Sequence, residues 1–343
     1  MADGLSSILV IILIILAIAL AFSIGANDET LSALVGAGVL KFKIALLLGG
    51  IALGSGMIFF SGGFVAKTVG ADILGEGVQY TEYMLLAVLI SSIIWLVAGS
   101  FAGIPLSSTH SLIGSVFGVL IVYALFQGTV NPETALNWGK LGNVVLSWFL
   151  SPIFGLLITF ILFRIMAKLF LSRLKGLNQI EKSEKNFKWL LLVSVIFAEI
   201  WVGANSGEAL GILFGLLDSG FLNLAQYFTF TLICGIFACL GIYFAARYVI
   251  RNLASQMVDS RPSEGFIIQS SSAIILMIAT LFGLPISHSH VIVFCIIGLS
   301  IAQKKEVDKK SLGKMGIYWV LTFPIAAVLA GFIYFGLSMF GFS

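Results

Sequence analysis

The stretch Gly103-Ile-Pro-Leu-Ser-Ser-Thr-His110 decides the fold, because the chain contains it a second time as Gly283-Leu-Pro-Ile-Ser-His-Ser-His290. Each copy lies between two long apolar runs. A Gly-x-Pro step breaks a helix, since proline lacks an N–H and restricts the residue before it. The Ser/Thr cluster that follows is typical of the N-cap of a new helix. Each copy therefore predicts a helix that is broken inside a membrane and restarts at hydroxyl side chains.

Such a restart predicts an anion site, because free N–H groups, the positive end of the helix dipole and nearby hydroxyls all favour negative charge. Two such sites, one per half, are what transporters built from inverted repeats place at the bilayer midplane.

Composition indicates a polytopic, all-α membrane protein. The 343 residues are 59% hydrophobic and 10% charged, against about 25% charged in a soluble domain. Uncharged runs such as 5–27 and 141–163 reach the roughly 20 residues needed to cross a bilayer. The first run lacks a basic segment and a clear cleavage site, so we expect a retained helix. The three cysteines lie in apolar runs and are expected to be core residues: Cys234, Cys239 and Cys295.

Two motifs recur in the same order at nearly one offset. Gly25-Ala-Asn27 returns 178 residues later as Gly203-Ala-Asn205, and the Gly-x-Pro step returns after 180 residues. The polar segment 164–188, with seven Lys and Arg, is the natural joint. We therefore expect repeats at 1–166 and 189–343, connected by a basic linker at 167–188. The run 111–126 is short for a crossing and is expected to be one arm of a helical hairpin.

The positive-inside rule sets the orientation. Placing four segments in the cytoplasm puts 17 of the 19 Lys and Arg inside, and leaves only Lys67 and Lys140 outside. Those segments are Lys41/Lys43, the polar segment 164–188, 247–261 and 304–314. Basic loops of one half then match poorly charged loops of the other, so the halves are expected to be inverted, with both termini outside the plasma membrane. A duplication with parallel halves fits this charge distribution less well.

Acidic residues at membrane depth are candidate functional groups, because burying a charge there is costly. The first half offers Asp28 and Glu29, and the second offers Glu199 and Glu208. The alternative for each glutamate is a position facing the interface near a helix end.

All three histidines fall in the duplicated motifs. No Glu-x-x-His or His-x-x-x-His spacing accompanies them, which disfavours a transition-metal site. We expect packing or hydrogen-bonding roles for His110 and His290. His288 stands where the first copy has Ser108, so it is expected to contact the anion or to add charge at lower pH.

The paired Gly-Ala-Asn-Asp and Gly-x-Pro-x-Ser-x-x-His motifs resemble those of the inorganic phosphate transporter (PiT) family, over nearly the whole chain. Members of this family have inverted repeats and move phosphate with sodium or protons. The resemblance implies two half-sites for the anion and the cation. The first contains Asn27, Asp28, Ser107, Ser108 and Thr109, and the second Asn205, Ser206, Ser287, His288 and Ser289. His110, His290 and Glu208 are expected to support them.

Departures from the family pattern bear on the coupling ion and the anion. The family usually reads Gly-Ala-Asn-Asp-Val-Ala-Asn in both halves. Here Ser206 replaces the second Asp, and Leu31 and Ala209 replace the last Asn of each motif. These changes remove oxygen ligands that sodium uses, and short relatives in the family transport sulfate.

The residues and the resemblance together predict a secondary transporter that imports inorganic phosphate with sodium, or with protons, by alternating access. A sulfate permease of the same fold is the alternative. A carboxylate facing the anion, such as Asp28, favours hydrogen phosphate, which can donate a hydrogen bond where sulfate cannot. A passive channel or an intramembrane enzyme would not need two pseudo-symmetric sites. We expect no cofactor besides the coupling ion and no nucleic-acid partner, and a homodimer is compatible with these features.

Overall fold

The computed structural model describes residues 2–61, 63–101, 106–127, 131–256, 261–306 and 309–339. Fifteen α-helices account for most of this part of the chain. In order they are α1 (Ala2–Ala26), α2 (Ser32–Gly36), α3 (Phe42–Phe59), α4 (Val65–Lys67), α5 (Glu82–Phe101), α6 (Ser108–Gln127), α7 (Pro132–Ala135), α8 (Trp138–Leu169), α9 (Leu177–Asn205), α10 (Gly207–Asp218), α11 (Leu224–Phe244), α12 (Arg247–Gln256), α13 (Pro262–Leu281), α14 (His288–Gln303) and α15 (Lys309–Met339). A π-helical turn, Thr68–Asp72, continues α4.

The helices have the composition of membrane spans. Within the described ranges, nine helical stretches are long and apolar enough to cross a bilayer, and no β-strand is found beyond one bridge between Leu74 and Leu136. Large apolar side chains such as Phe149 and Phe332 are exposed on the outside, whereas many Ser, Thr, Asn and Glu side chains are buried. This distribution suits a lipid solvent and confirms the all-α, polytopic class.

The second duplicated motif breaks a helix as predicted. Helix α13 ends at Leu281 and α14 begins at His288, with residues 282–287 outside any helix. Gly283 has a φ of +63°, a conformation that favours glycine, and its carbonyl accepts a hydrogen bond from Thr68 Oγ1 at 2.7 Å. In the first copy, α5 ends at Phe101 and α6 begins at Ser108. The Gly103-Ile-Pro105 step itself lies outside the described residues.

Three elements are more helical than their sequence indicated, while the bounds of the repeats and the hairpin stay predictions. The run predicted as a short hairpin arm is the 20-residue helix α6, because the hydroxyl cluster itself forms its first turn. The segment 177–188, predicted as linker, is the polar start of α9, which leaves 170–176 as the joint. The basic loop after α11 contains the amphipathic helix α12. The cytoplasmic side of the joint stays a prediction.

Helix packing relates the two halves to each other. Helix α1 packs on α11 as α9 packs on α3, and α6 packs on α15 as α14 packs on α8. Likewise α1 contacts α5 as α9 contacts α13. Each contact thus recurs with the equivalent helices of the other half, which is consistent with two copies of one unit. Their inverted orientation in the membrane stays a prediction.

The glycine of each Gly-Ala-Asn motif allows a close approach between the halves. A Cβ on Gly25 would lie 2.0 Å from Ala238 O in α11, and one on Gly203 would lie 2.0 Å from Leu53 O in α3. Both distances are far below van der Waals contact, so only glycine fits. These two contacts fix how the ends of α1 and α9 enter the centre of the protein.

Candidate functional site

Four chain segments enclose a small polar cavity at the centre of the protein. The ends of α1 and α9 contribute the Gly-Ala-Asn motifs, and the starts of α6 and α14 contribute the hydroxyl clusters. The cavity measures about 50 Å³, well below the roughly 300–1,000 Å³ of sites for drug-sized ligands. Its size suits a small ion.

The predicted anion and cation residues all line this one cavity. They are Asn27, Asp28, Ser107, Ser108, Thr109, Asn205, Ser206, Ser287, His288 and Ser289, and they are joined by Glu208, which was predicted to support them, and by Glu29. No Lys or Arg side chain in the described part of the chain lines it. Negative charge in the cavity is therefore met by helix ends, hydroxyls and one imidazole.

The two helix restarts use their serines differently. Ser107 Oγ accepts the backbone N–H of His110 at 3.2 Å, which is the N-cap hydrogen bond expected at the start of α6. Ser287 holds the same position before α14 but makes no side-chain cap, and its hydroxyl has no hydrogen-bond partner among the described residues. At α14 a hydroxyl and the first N–H groups remain available to a bound anion.

The two asparagines bind the segments that interrupt the helices. Asn205 Nδ2 donates to Thr280 Oγ1 at 2.9 Å and to Leu284 O at 3.1 Å, and Asn205 Oδ1 accepts from Ile286 N at 3.0 Å. Asn27 Nδ2 donates to Leu106 O at 2.9 Å, in the equivalent segment of the first half. Sequence reasoning assigned both amides to the cation. The geometry gives them a structural task as well, since they tie the end of one helix to the start of another.

Glu208 connects the second half to the hydroxyls of the first. Its Oε1 accepts from Ser108 Oγ at 2.7 Å and from Thr109 Oγ1 at 2.9 Å. The side chain is 3% exposed, and Oε2 has no hydrogen-bond partner in the described structure. Two of the hydroxyls predicted to donate to the anion therefore donate to a carboxylate that faces the same cavity.

Asp28 begins a second polar cluster at the end of α1. Its Oδ1 accepts the backbone N–H of Thr30 at 2.7 Å. His288 Nδ1 lies 3.4 Å from both Thr30 Oγ1 and Glu29 Oε1. His288 thus faces the acids of the first half as well as the cavity. The equivalent residue of the first copy is Ser108.

Glu199 was considered in the sequence but was not included in the predicted site. It is fully buried in α9 and lies beside the carboxyl group of Asp28, with Glu29 close enough for electrostatic interaction. Neither of its carboxyl oxygens has a hydrogen-bond donor among the described residues. Gln269 Nε2 donates to Thr30 O at 3.0 Å on the same side, while Gln269 Oε1 is unpartnered within the described ranges. The sequence feature that could have indicated Glu199 as a site residue is an acid within an apolar run, four residues before Gly203-Ala-Asn205.

His110 and His290 lie outside the polar cavity. Their rings meet edge to face at 4.7 Å, and each packs on a tryptophan, Trp148 at 4.0 Å and Trp319 at 4.1 Å. Trp148 Nε1 also donates to Pro285 O at 2.9 Å. These contacts support the predicted packing role of the two histidines beneath the helix breaks.

The chain is similar to a known family over most of its length. The model of the phosphate transporter family matches residues 24–330. A relative from Bacillus subtilis, named as a low-affinity inorganic phosphate transporter, is 29% identical and covers 97% of this chain and 98% of its own. A relative from Thermococcus kodakarensis, named as a phosphate permease, is 28% identical and covers 94% of this chain and 96% of its own.

A solved structure has the same fold. It is described as the sodium-dependent phosphate transporter and superposes with a TM-score of 0.85 over 96% of this chain and 99% of that one, at 24% identity.

Proposed function

Because the chain belongs to the phosphate transporter family, we propose that it imports inorganic phosphate coupled to sodium by alternating access. It is a multi-pass membrane transporter and not an enzyme. One observation carries the proposal: the starts of α6 and α14 and a group of buried carboxylates share one small cavity. An oxyanion and a cation can then bind next to each other and partly neutralise one another.

The anion half of the proposal rests on the helix restarts. Both N-termini enter the cavity, so two positive dipole ends and their free N–H groups point at one ligand. The unpartnered hydroxyl of Ser287 and the cavity-lining Ser289 add donors. Together they form a set of uncharged donors, which suits a doubly charged anion that must also be released.

The cation half rests on the acids at the end of α1. Asp28, Glu29 and Glu199 are buried together, and among the described residues the imidazole of His288 is the basic group that lies close to them. Several buried carboxylates are unstable unless cations or protons compensate them. In transporters with broken helices, sodium is held by backbone carbonyls and by the C-terminal ends of half-helices, and the end of α1 offers both beside these carboxylates. The sodium-dependent phosphate transporter of the same fold also supports sodium over the proton.

Phosphate is favoured over sulfate by the carboxylates that face the cavity. Asp28 and Glu208 can accept a hydrogen bond from hydrogen phosphate but repel sulfate, which carries no proton near neutral pH. Ser206 lowers this preference, because the equivalent position in the first half is an acid.

Uptake into proteoliposomes tests the proposal. Labelled phosphate and sulfate are offered separately, with a sodium gradient at equal pH or a proton gradient without sodium. We expect saturable phosphate uptake that rises with external sodium, and little sulfate uptake. Phosphate uptake that ignores sodium but rises as external pH falls would refute sodium coupling. Sulfate uptake exceeding that of phosphate would refute the substrate, and uptake that does not saturate would indicate a channel.

A further inference from the structure

Glu208 places an acceptor where an anion binds, and this needs an explanation. It is the second residue of α10, in the second half, yet it lines the cavity next to the hydroxyls of the first half. Its position in the first turn of a helix stabilises its negative charge. Ser108 and Thr109 both donate to Oε1, so the carboxylate is held in one orientation.

The remaining oxygen of Glu208 is an unused acceptor. Oε2 is buried and has no donor in the part of the chain that the structure describes. An unpaired buried charged oxygen is costly. Since no lysine or arginine of the described ranges lines the cavity, the partner of the ionised oxygen comes from a water, a bound cation or the ligand itself.

We propose that Glu208 Oε2 accepts the hydrogen of the protonated oxygen of hydrogen phosphate, and that Glu208 is the residue that excludes fully deprotonated oxyanions. Ser108 and Thr109 then position Glu208 and do not bind the anion directly. The assignment rests on the proposed function and names its specificity determinant. Asp28 is less suited to this role, because it accepts the Thr30 N–H and lies beside Glu199.

Four tetrahedral oxyanions separate protonation from shape. Phosphate and arsenate carry a proton near neutral pH, whereas sulfate and selenate do not. Wild-type protein in detergent is titrated with each ion, and the ligand-induced rise in unfolding temperature reports its binding. We expect the wild type to bind phosphate and arsenate, with sulfate and selenate at least a hundredfold weaker.

The decisive variant is Glu208→Gln, which keeps the size of the side chain and its acceptor for Ser108 and Thr109 but turns the other atom into a donor. Phosphate and arsenate should bind at least tenfold more weakly, and the preference for them over sulfate and selenate should fall at least tenfold. Glu133→Gln is the matched control, since Glu133 is an exposed glutamate in the first turn of α7, and it should leave the preference unchanged.

An unaltered preference in Glu208→Gln would overturn the assignment. If that variant does not fold, Glu208→Asp decides, because it retains the acceptor one methylene further back. It should keep the preference for protonated oxyanions with weaker binding, and loss of the preference there would also contradict the assignment. Failure of the proposed function would be visible separately, as wild-type protein that selects phosphate in the binding assay but does not transport it.

Discussion

Replacing Asn205 with alanine tests whether this amide is a structural clamp or a ligand of the cation. The side chain makes three hydrogen bonds, at 2.9 Å to Thr280 in the last turn of α13 and at 3.1 and 3.0 Å to Leu284 and Ile286 between α13 and α14. Each is worth about 0.5–1.5 kcal/mol net, and more where a buried partner is left unpaired. Asn205→Ala should therefore lower the free energy of unfolding by about 2–4 kcal/mol.

The loss should also reach the anion. Ile286 N is held by Asn205 Oδ1, and Ser287 and the first N–H groups of α14 follow directly. Releasing this segment should displace those donors, so we expect phosphate affinity to fall tenfold or more. A tenfold change corresponds to about 1.4 kcal/mol, less than the predicted loss of stability. Purified protein in detergent is compared by thermal unfolding, with and without phosphate and sodium.

Asn223→Ala is the control for this experiment. Asn223 caps α11 on the exposed surface through Gln226, and its removal should cost about 1 kcal/mol without altering phosphate binding. The clamp would be refuted by Asn205→Ala protein that retains its stability and its phosphate affinity but no longer responds to sodium. Asn205 would then be a cation ligand only, as the sequence suggested.

Three further predictions concern the buried acids, the polar start of α9 and the helix contacts. Asp28→Asn should abolish the sodium dependence of uptake, and Glu199→Gln should raise the sodium requirement several-fold, because each removes a charge from one buried cluster. Sodium titrations of uptake that match the wild type in both variants would exclude the cluster from coupling. Asn178→Cys in a cysteine-free background should react with impermeant reagents only from the cytoplasm, and labelling from outside intact cells would invert the topology. Gly203→Ala should lower the unfolding temperature, since its Cβ would lie 2.0 Å from a carbonyl oxygen of α3. Gly142→Ala is the control and should not, because a Cβ there would have no atom within 4 Å. Equal unfolding temperatures would show that α3 and α9 can separate without cost.

The parts of the fold that sequence predicted are those encoded locally. A Gly-x-Pro step followed by hydroxyls determines where a helix stops and restarts, whatever surrounds it, and the length of an apolar run determines a span. The polar start of α9 was harder to predict. Residues 177–188 are mostly charged or polar, and such a sequence suits either an exposed loop or a helix that extends beyond the membrane.

The parts of the site that sequence could not predict depend on contacts between distant residues. Glu208 meets Ser108 and Thr109 about 100 residues away, and nothing in the local pattern of α10 indicates that its first turn faces α6. The asparagines show a second limit. Their partners include backbone atoms of the helix breaks, and these carry no sequence signal, so a motif amide was taken for an ion ligand only.

The two halves share a backbone plan but differ in the chemistry of equivalent contacts, and under the proposed function this difference lets one cavity serve ions of opposite charge. Glu208 stands three residues after Asn205, as Thr30 stands three residues after Asn27. Glu208 contacts Ser108 at 2.7 Å, and Thr30 contacts His288, which occupies the position of Ser108, at 3.4 Å. The second half has Ser206 at the position of Asp28 and an acid, Glu208, at the position of Thr30. The acid of the first half therefore follows the end of a helix, whereas the acid of the second half lies in the first turn of the next helix. An acid at the C-terminal end of α1 adds to the negative end of the helix dipole and favours a cation. An acid in the first turn of α10 is compensated by the positive end of the helix dipole, so it can face an anion that brings its own proton. Under the proposed function, Ser206 at the position of Asp28 and Glu208 at the position of Thr30 separate the charge that holds the cation from the charge that selects the anion.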